Sequence, residues 1–119
     1  MDDQLKQLFD YTKFHIGMYT TLIAGIIGVF ANDSLKNAYS GMVPYIKVSI
    51  VLFLVAGAAG GLVASSIPFF KTFDEFSQAC IGPWKLKLFP AIICTHVEHT
   101  AFWFGCFVAA FGLFRVLPS

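Results

Sequence analysis

An all-α integral membrane protein is the fold class this sequence predicts, with three transmembrane helices, an amphipathic N-terminal segment and a short interfacial helix. Three observations predict it. The 119 residues are 57% hydrophobic and 13% charged, where a soluble domain carries roughly 25% charged residues to clothe its surface. Three apolar runs reach the roughly 20 residues a helix needs to cross hydrocarbon. Each run is bounded by polar or proline-containing residues, and within lipid a single segment satisfies its backbone groups only as a helix. Residues 1–119 read as one membrane domain.

The elements follow in order. Over residues 2–12, Leu5, Leu8, Phe9 and Thr12 share a helical face, with Asp2, Asp3, Lys6, Gln7 and Asp10 mostly elsewhere. This is an amphipathic lead-in. It lacks a short apolar core followed by a small-residue cleavage site, so no removable signal peptide is expected. The first span is predicted over about 14–31, FHIGMYTTLIAGIIGVFA, stopping at Asn32-Asp33-Ser34. The second runs over about 45–67, starting after Pro44 and stopping before Pro68, since proline suits a first turn and disfavours helix just before it. Thr72-Phe73-Asp74-Glu75 has the spacing of a capping box and predicts the interfacial helix over about 73–80. Around it lie Phe69, Phe70, Trp84, Lys85 and Lys87, residue types that gather at headgroup level. The third span, about 88–117 and beginning near Leu88 or Pro90, is long enough to tilt or project.

Charge and cysteine content narrow the setting. Net charge is +1 and no basic run is present, so nucleic acid is not an expected partner. Cys80, Cys94 and Cys106 form no CxxC motif and are an odd number, which reads as small buried hydrophobes rather than a disulfide framework. The N-terminal segment and the second connection hold Lys6, Lys13, Lys71, Lys85 and Lys87, against Lys36, Lys47 and Arg115 on the other side. The positive-inside rule therefore favours an inward N-terminus, in a bacterial inner membrane or an organellar membrane.

Helices in lipid associate through small residues that let backbones approach. The second span offers Gly57, Gly61 and Ser65 at four-residue spacing, and Ala56, Gly60 and Ala64 beside them. The first carries Gly17, Thr21, Gly25 and Gly28, and the third Ala101, Gly105, Ala109 and Gly112. Three thin helices with so many smooth seams predict a homo-oligomer, or packing against other membrane subunits.

One stretch resists the apolar pattern. In CTHVEHTAFW, residues 94–103, two histidines and a glutamate fall within four residues. At 100° per residue His96 and His99 share a face with Trp103 and Cys106, and Glu98 points well away, over the small-residue seam. A charge in hydrocarbon costs a few kcal/mol on insertion scales, so Glu98 is expected to be protonated, paired or facing a wet cavity. His99 lies about 24 Å before Arg115 and His15 about 22 Å before Phe30 along their helices. The two parallel spans thus bring His15 to a similar depth, and a polar layer of His15, His96, Glu98 and His99 is geometrically possible. His15 on its own, beside Lys13, reads as an interfacial residue.

That layer has three readings: interhelical hydrogen bonds, a proton or cation path, or ligands for a metal or haem. Imidazole titrates near neutrality and carboxylates favour cations. H-x-E-H is not the zincin H-E-x-x-H pattern, so no cofactor is predicted. Haem or a transition metal on His96, His99 and Glu98 remains the alternative. There is no phosphate-binding glycine loop and no nucleophile elbow, so the chain is not expected to be an enzyme, short of being a subunit of a membrane enzyme complex. The leading expectation is an oligomeric pore or proton/cation-conducting assembly. The alternative is a non-catalytic anchor subunit of a larger complex.

Overall fold

A computed structural model describes residues 1–117. The chain is 85% helical, and three of its helices are long and apolar enough to span a membrane. Helix α1 (Asp3–Ala31) opens under the Asp2 side chain, which accepts the Leu5 N–H at 2.9 Å. The amphipathic lead-in and the first span are therefore one continuous helix of 29 residues, about 43 Å long. Asn32 ends α1 and at once caps α2 (Asp33–Ala38), accepting from the Leu35 N–H. After a 3₁₀ turn, α3 (Val43–Ser66) starts with Pro44 in its first turn. It gives way to a second 3₁₀ turn around Pro68.

The connection that follows differs from the sequence expectation in two ways. Helix α4 (Phe73–Ser77) has only five residues, not the eight of 73–80. Thr72 caps it as expected, accepting from the Glu75 N–H, but the Glu75 carboxylate reaches the Lys71 N–H, one residue before the cap. The Ser77 hydroxyl bonds the Asp74 carbonyl, a local alternative to another helical turn. The chain then extends into β1 (Cys80–Ile81), which pairs antiparallel with β2 (Phe89–Pro90). Helix α5 (Ala91–Val116) accordingly starts at Ala91, not 88. The residue before a proline is pushed out of helical conformation, and Pro90 holds Phe89 in the strand. Gly82 sits in this hairpin with no room to spare: a Cβ there would lie 2.6 Å from the Leu86 carbonyl oxygen.

The three long helices run up, down and up, with α3 packed mainly against α5 and less against α1. The bundle measures 50 × 26 × 18 Å. Two apolar clusters hold it together. Near the end capped by the 67–90 connection, Leu5, Val63, Ile67, Phe76 and Cys94 pack together. Deeper in, Tyr19, Phe53, Ala56, Ala101 and Phe102 form the second cluster. Large apolar side chains such as Phe14, Ile27, Leu54, Phe107 and Phe114 point outward, the arrangement expected of helices solvated by lipid rather than water. All three cysteines are free.

The glycine seams divide into two groups. Gly57, Gly60, Gly105 and Gly112 take part in packing within the chain. A Cβ at Gly57 would meet the Tyr19 ring at 3.6 Å, one at Gly105 the Phe53 ring at 2.7 Å, and one at Gly112 the Cβ of Tyr45 at 2.5 Å. Gly17, Gly25, Gly28 and Gly61 face no described atom within 4 Å of an added Cβ.

Asp2 ties the start of α1 to the connection. One carboxylate oxygen accepts from Leu5 and the other from the Phe73 N–H at 3.0 Å, and the Asp2 N–H donates to the Lys71 carbonyl. These backbone donors, Leu5 first and Phe73 next, hold the Asp2 carboxyl below its ordinary value of 3.8. A depressed acid stabilises the fold above its unfolded value and loses that contribution as pH falls through the folded one. The clamp is therefore complete at neutral pH and released in strong acid, below about 3.8. Asp2→Ala is expected to speed amide exchange at Leu5 and Phe73 at neutral pH and leave exchange in the middle of α3 unchanged.

Candidate functional site

Between the two apolar clusters lies a polar site built by α1 and α5. His15 on α1 and Glu98 on α5 are both closed off, with side chains 2% and 1% exposed. His15 Nδ1 stands 2.9 Å from Glu98 Oε1 and 3.3 Å from Oε2. His99 Nδ1 stands 2.8 Å from Glu98 Oε2 and also 2.8 Å from the Thr95 carbonyl oxygen. A carbonyl oxygen can only accept, so His99 Nδ1 carries a hydrogen and donates. His99 is the least enclosed member, with a side chain 28% exposed.

Aromatic rings fix the imidazoles. His15 stacks on Phe102 at 4.1 Å between centroids and meets Tyr11 at 4.3 Å on its other side. Tyr11 also stacks on His99 at 5.2 Å, nearly parallel, and is itself exposed. Tyr11 therefore roofs the site towards the end bearing Lys13 and Asp10, which pair across one helical turn. Below the site, the notch at Gly60 brings two groups close together. A Cβ there would lie 3.0 Å from Glu98 Cγ and 3.1 Å from the Tyr19 hydroxyl. That hydroxyl is buried and makes no hydrogen bond among the described residues, and the same holds for Thr12 and Ser49. Buried hydroxyls without a partner are uncommon in folded chains.

Three of the four polar residues singled out in the sequence are thus brought together: His15, Glu98 and His99. His96 stands apart. It is exposed and lines a shallow cleft with Leu52, Ile93, Val97 and Phe104 on another side of α5. His96 and His99 are about 60° apart on a helix wheel, yet only His99 comes within reach of Glu98. Glu98 is buried on the same side of α5 as Cys94, Ala101, Gly105 and Gly112, with its Cγ against the Gly60 notch of α3, and its carboxylate still reaches His99 Nδ1. His15 is a buried partner of Glu98 here.

Sequence reading passed over Tyr11, Tyr19 and Phe102. A signal was available: Thr12, His15 and Tyr19 recur at i, i+3 and i+7, the spacing of one helix face. All three are buried.

Chemically, the triad has three donor or acceptor groups and one shared proton to place. With two neutral imidazoles and an ionised Glu98 the site carries a net negative charge. One added proton, on Glu98 or His15, makes it neutral overall, and buried sites avoid net charge. The same donor atoms lie within 4.8 Å of one another, a two-histidine, one-carboxylate set of the kind that suits zinc or iron. Comparison with protein-family models, with curated proteins and with solved structures finds no match to this chain.

Proposed function

We propose that this chain is an integral membrane protein that moves protons, with the His15–Glu98–His99 triad as the group that takes them up and releases them. One observation carries the reading. Three titratable side chains meet inside the apolar part of the bundle, and the partly exposed one, His99, faces the rim through Tyr11. An intramembrane ionisable cluster is expensive to bury and marks proton or ion pathways. His99 exchanges a proton with water at the rim, Glu98 shares it with His15, and the Tyr19 hydroxyl is the next polar group inward. Tyr19, Phe53 and Phe102 pack together beside the triad, apolar packing that favours a proton over a hydrated cation as the cargo. On the lysine distribution, the rim is the cytoplasmic face.

The test is proton flux into liposomes loaded with a pH-sensitive dye. Glu98→Gln keeps an acceptor for His15 but sets an amide N–H₂ against the His99 N–H. It is expected to lower flux at least about a hundredfold, the lower end of the range for a lost proton-transfer group. Unchanged flux overturns the reading. The unpacked Gly25 and Gly61 serve for contact between copies. Gly25→Leu/Gly61→Leu is expected to shift the detergent-purified protein to a smaller oligomer and leave its helicity unchanged. An unshifted oligomer removes those seams from the assembly.

A second reading, a metal-holding membrane subunit, is favoured by the clustering of donor atoms. It requires His99 to give up the hydrogen that Thr95 accepts or to turn its ring, whereas proton transfer uses the atoms where they stand. Metal content of the purified protein at about one ion per chain, lost in Glu98→Ala, would decide for it.

A further inference from the structure

At the same end of the bundle, a cleft of about 500 Å³ opens between the end of α3 and the 67–90 connection. Ser66, Phe69 and Phe70 line one side, and Trp84, Lys85 and Lys87 the other. We infer that this cleft binds the headgroup and upper acyl chain of an anionic phospholipid, with Lys85 and Lys87 on the phosphate. The inference rests on the membrane reading and is independent of the proton reading.

The first support is the lining itself. It is mostly apolar, carries two lysines, and contains no carboxylate among the described residues. That combination complements an amphiphile with a negative head. The second is location. The cleft sits where the apolar run of α3 ends, at Ser66 and the turn around Pro68, so it lies at headgroup depth.

The third support is strain. Trp84 (φ 53°) and Lys85 (φ 66°) are consecutive non-glycine residues in the left-handed region. That region is disfavoured for bulky residues and persists only where something holds it in place. Within the chain little does, because Trp84 is 90% exposed. The strained turn sends the indole outward and folds Lys85 back, its Nζ 4.8 Å from the centre of the exposed Phe69 ring. An indole seated among headgroups and an ammonium poised over a neighbouring ring are both explained by a lipid in the cleft. Exposed Leu86, Leu88 and Phe89 continue the same apolar border.

The chain has two tryptophans, so a Trp103→Phe background leaves Trp84 as the reporter. The full-length protein is reconstituted in phosphatidylcholine vesicles containing a minor fraction of brominated phosphatidylglycerol or brominated phosphatidylcholine, and Trp84 quenching is compared at equal mole fraction. Basic residues at a membrane surface favour anionic lipid by about fivefold each. Quenching is therefore expected to report a preference for phosphatidylglycerol of about tenfold or more. Lys85→Gln/Lys87→Gln is expected to abolish the preference, and Lys85→Arg/Lys87→Arg to keep it. All four lysine replacements fall on exposed side chains, so folding is not at stake. Equal quenching by the two lipids overturns the proposal, and so does a preference that survives the glutamine pair. Quenching by neither lipid would instead contradict the membrane reading.

Discussion

Gly112→Val is expected to separate α3 from α5 at the end away from the polar site and to lower the stability of the bundle more than any other single change along their contact. A Cβ at position 112 falls 2.5 Å from Tyr45 Cβ and 2.7 Å from its Cγ. The Tyr45 Cβ hangs directly on the α3 backbone and does not move with χ1, so no rotamer of Tyr45 clears the overlap and the helices themselves must move. Overpacking of this kind costs about 1–3 kcal/mol, and valine adds two further methyl groups. Helix propensity acts in the opposite direction, because replacing an interior glycine by alanine gains about 1 kcal/mol. Gly112→Ala should thus show a net loss of about 1 kcal/mol, and the valine a larger one. Gly28→Ala is the control, since its new Cβ meets no described atom within 4 Å. Thermal or detergent denaturation followed by circular dichroism ranks the three. If Gly112→Val melts with the Gly28→Ala protein, the close approach of α3 and α5 is wrong.

The second large effect separates the stability of the triad from its chemistry. His15→Leu leaves Glu98 buried with only His99 beside it. In water-soluble proteins, removing one partner of a buried pair costs about 3–5 kcal/mol. In bilayers, single interhelical hydrogen bonds average about 0.6 kcal/mol, because the separated helices find other partners. A fully enclosed carboxylate between two imidazoles falls between these limits, and a loss of about 2 kcal/mol is expected. The double variant His15→Leu/Glu98→Leu removes both members and fills their space with apolar atoms. It should recover most of that loss, as apolar replacements of buried ion pairs do. Proton flux should remain abolished in the double variant. Recovery of stability together with loss of flux separates the two roles. A double variant less stable than His15→Leu would contradict the geometry of the pair.

These expectations depend on contacts that differ in how far they were legible in the sequence. The three spans were legible, because hydropathy over twenty residues is a sum that tolerates local exceptions. The start of α5 was legible only to within a few residues, Leu88 or Pro90 against the observed Ala91, because Leu88 and Phe89 are as apolar as the helix they precede and only the proline constraint distinguishes them. The hairpin of Cys80–Ile81 with Phe89–Pro90 is two residues on each side, too short for any alternation to register. Glu98 and His99 stood out as polar residues in an apolar helix. Their meeting with His15 depends on how two parallel helices are rotated about their axes, which local periodicity leaves open. His96 had the same residue type and nearly the same face as His99, and local periodicity could not tell which of them meets Glu98. The division of the glycines is likewise tertiary. Gly60 and Gly61 are neighbours in sequence, yet one touches Glu98 and Tyr19 and the other faces outward.

What the account most depends on is a carboxyl group on the last helix that gains and loses a proton while held between two imidazoles in the middle of apolar packing. Infrared difference spectroscopy of the protein in lipid, recorded between mildly acidic and mildly alkaline buffer, reads this directly. A protonated-carboxyl stretch that rises on the acidic side, coupled to imidazole bands and missing from Glu98→Gln, is the predicted result. A spectrum unchanged by that substitution across the whole pH range over which the wild-type protein passes protons would contradict it.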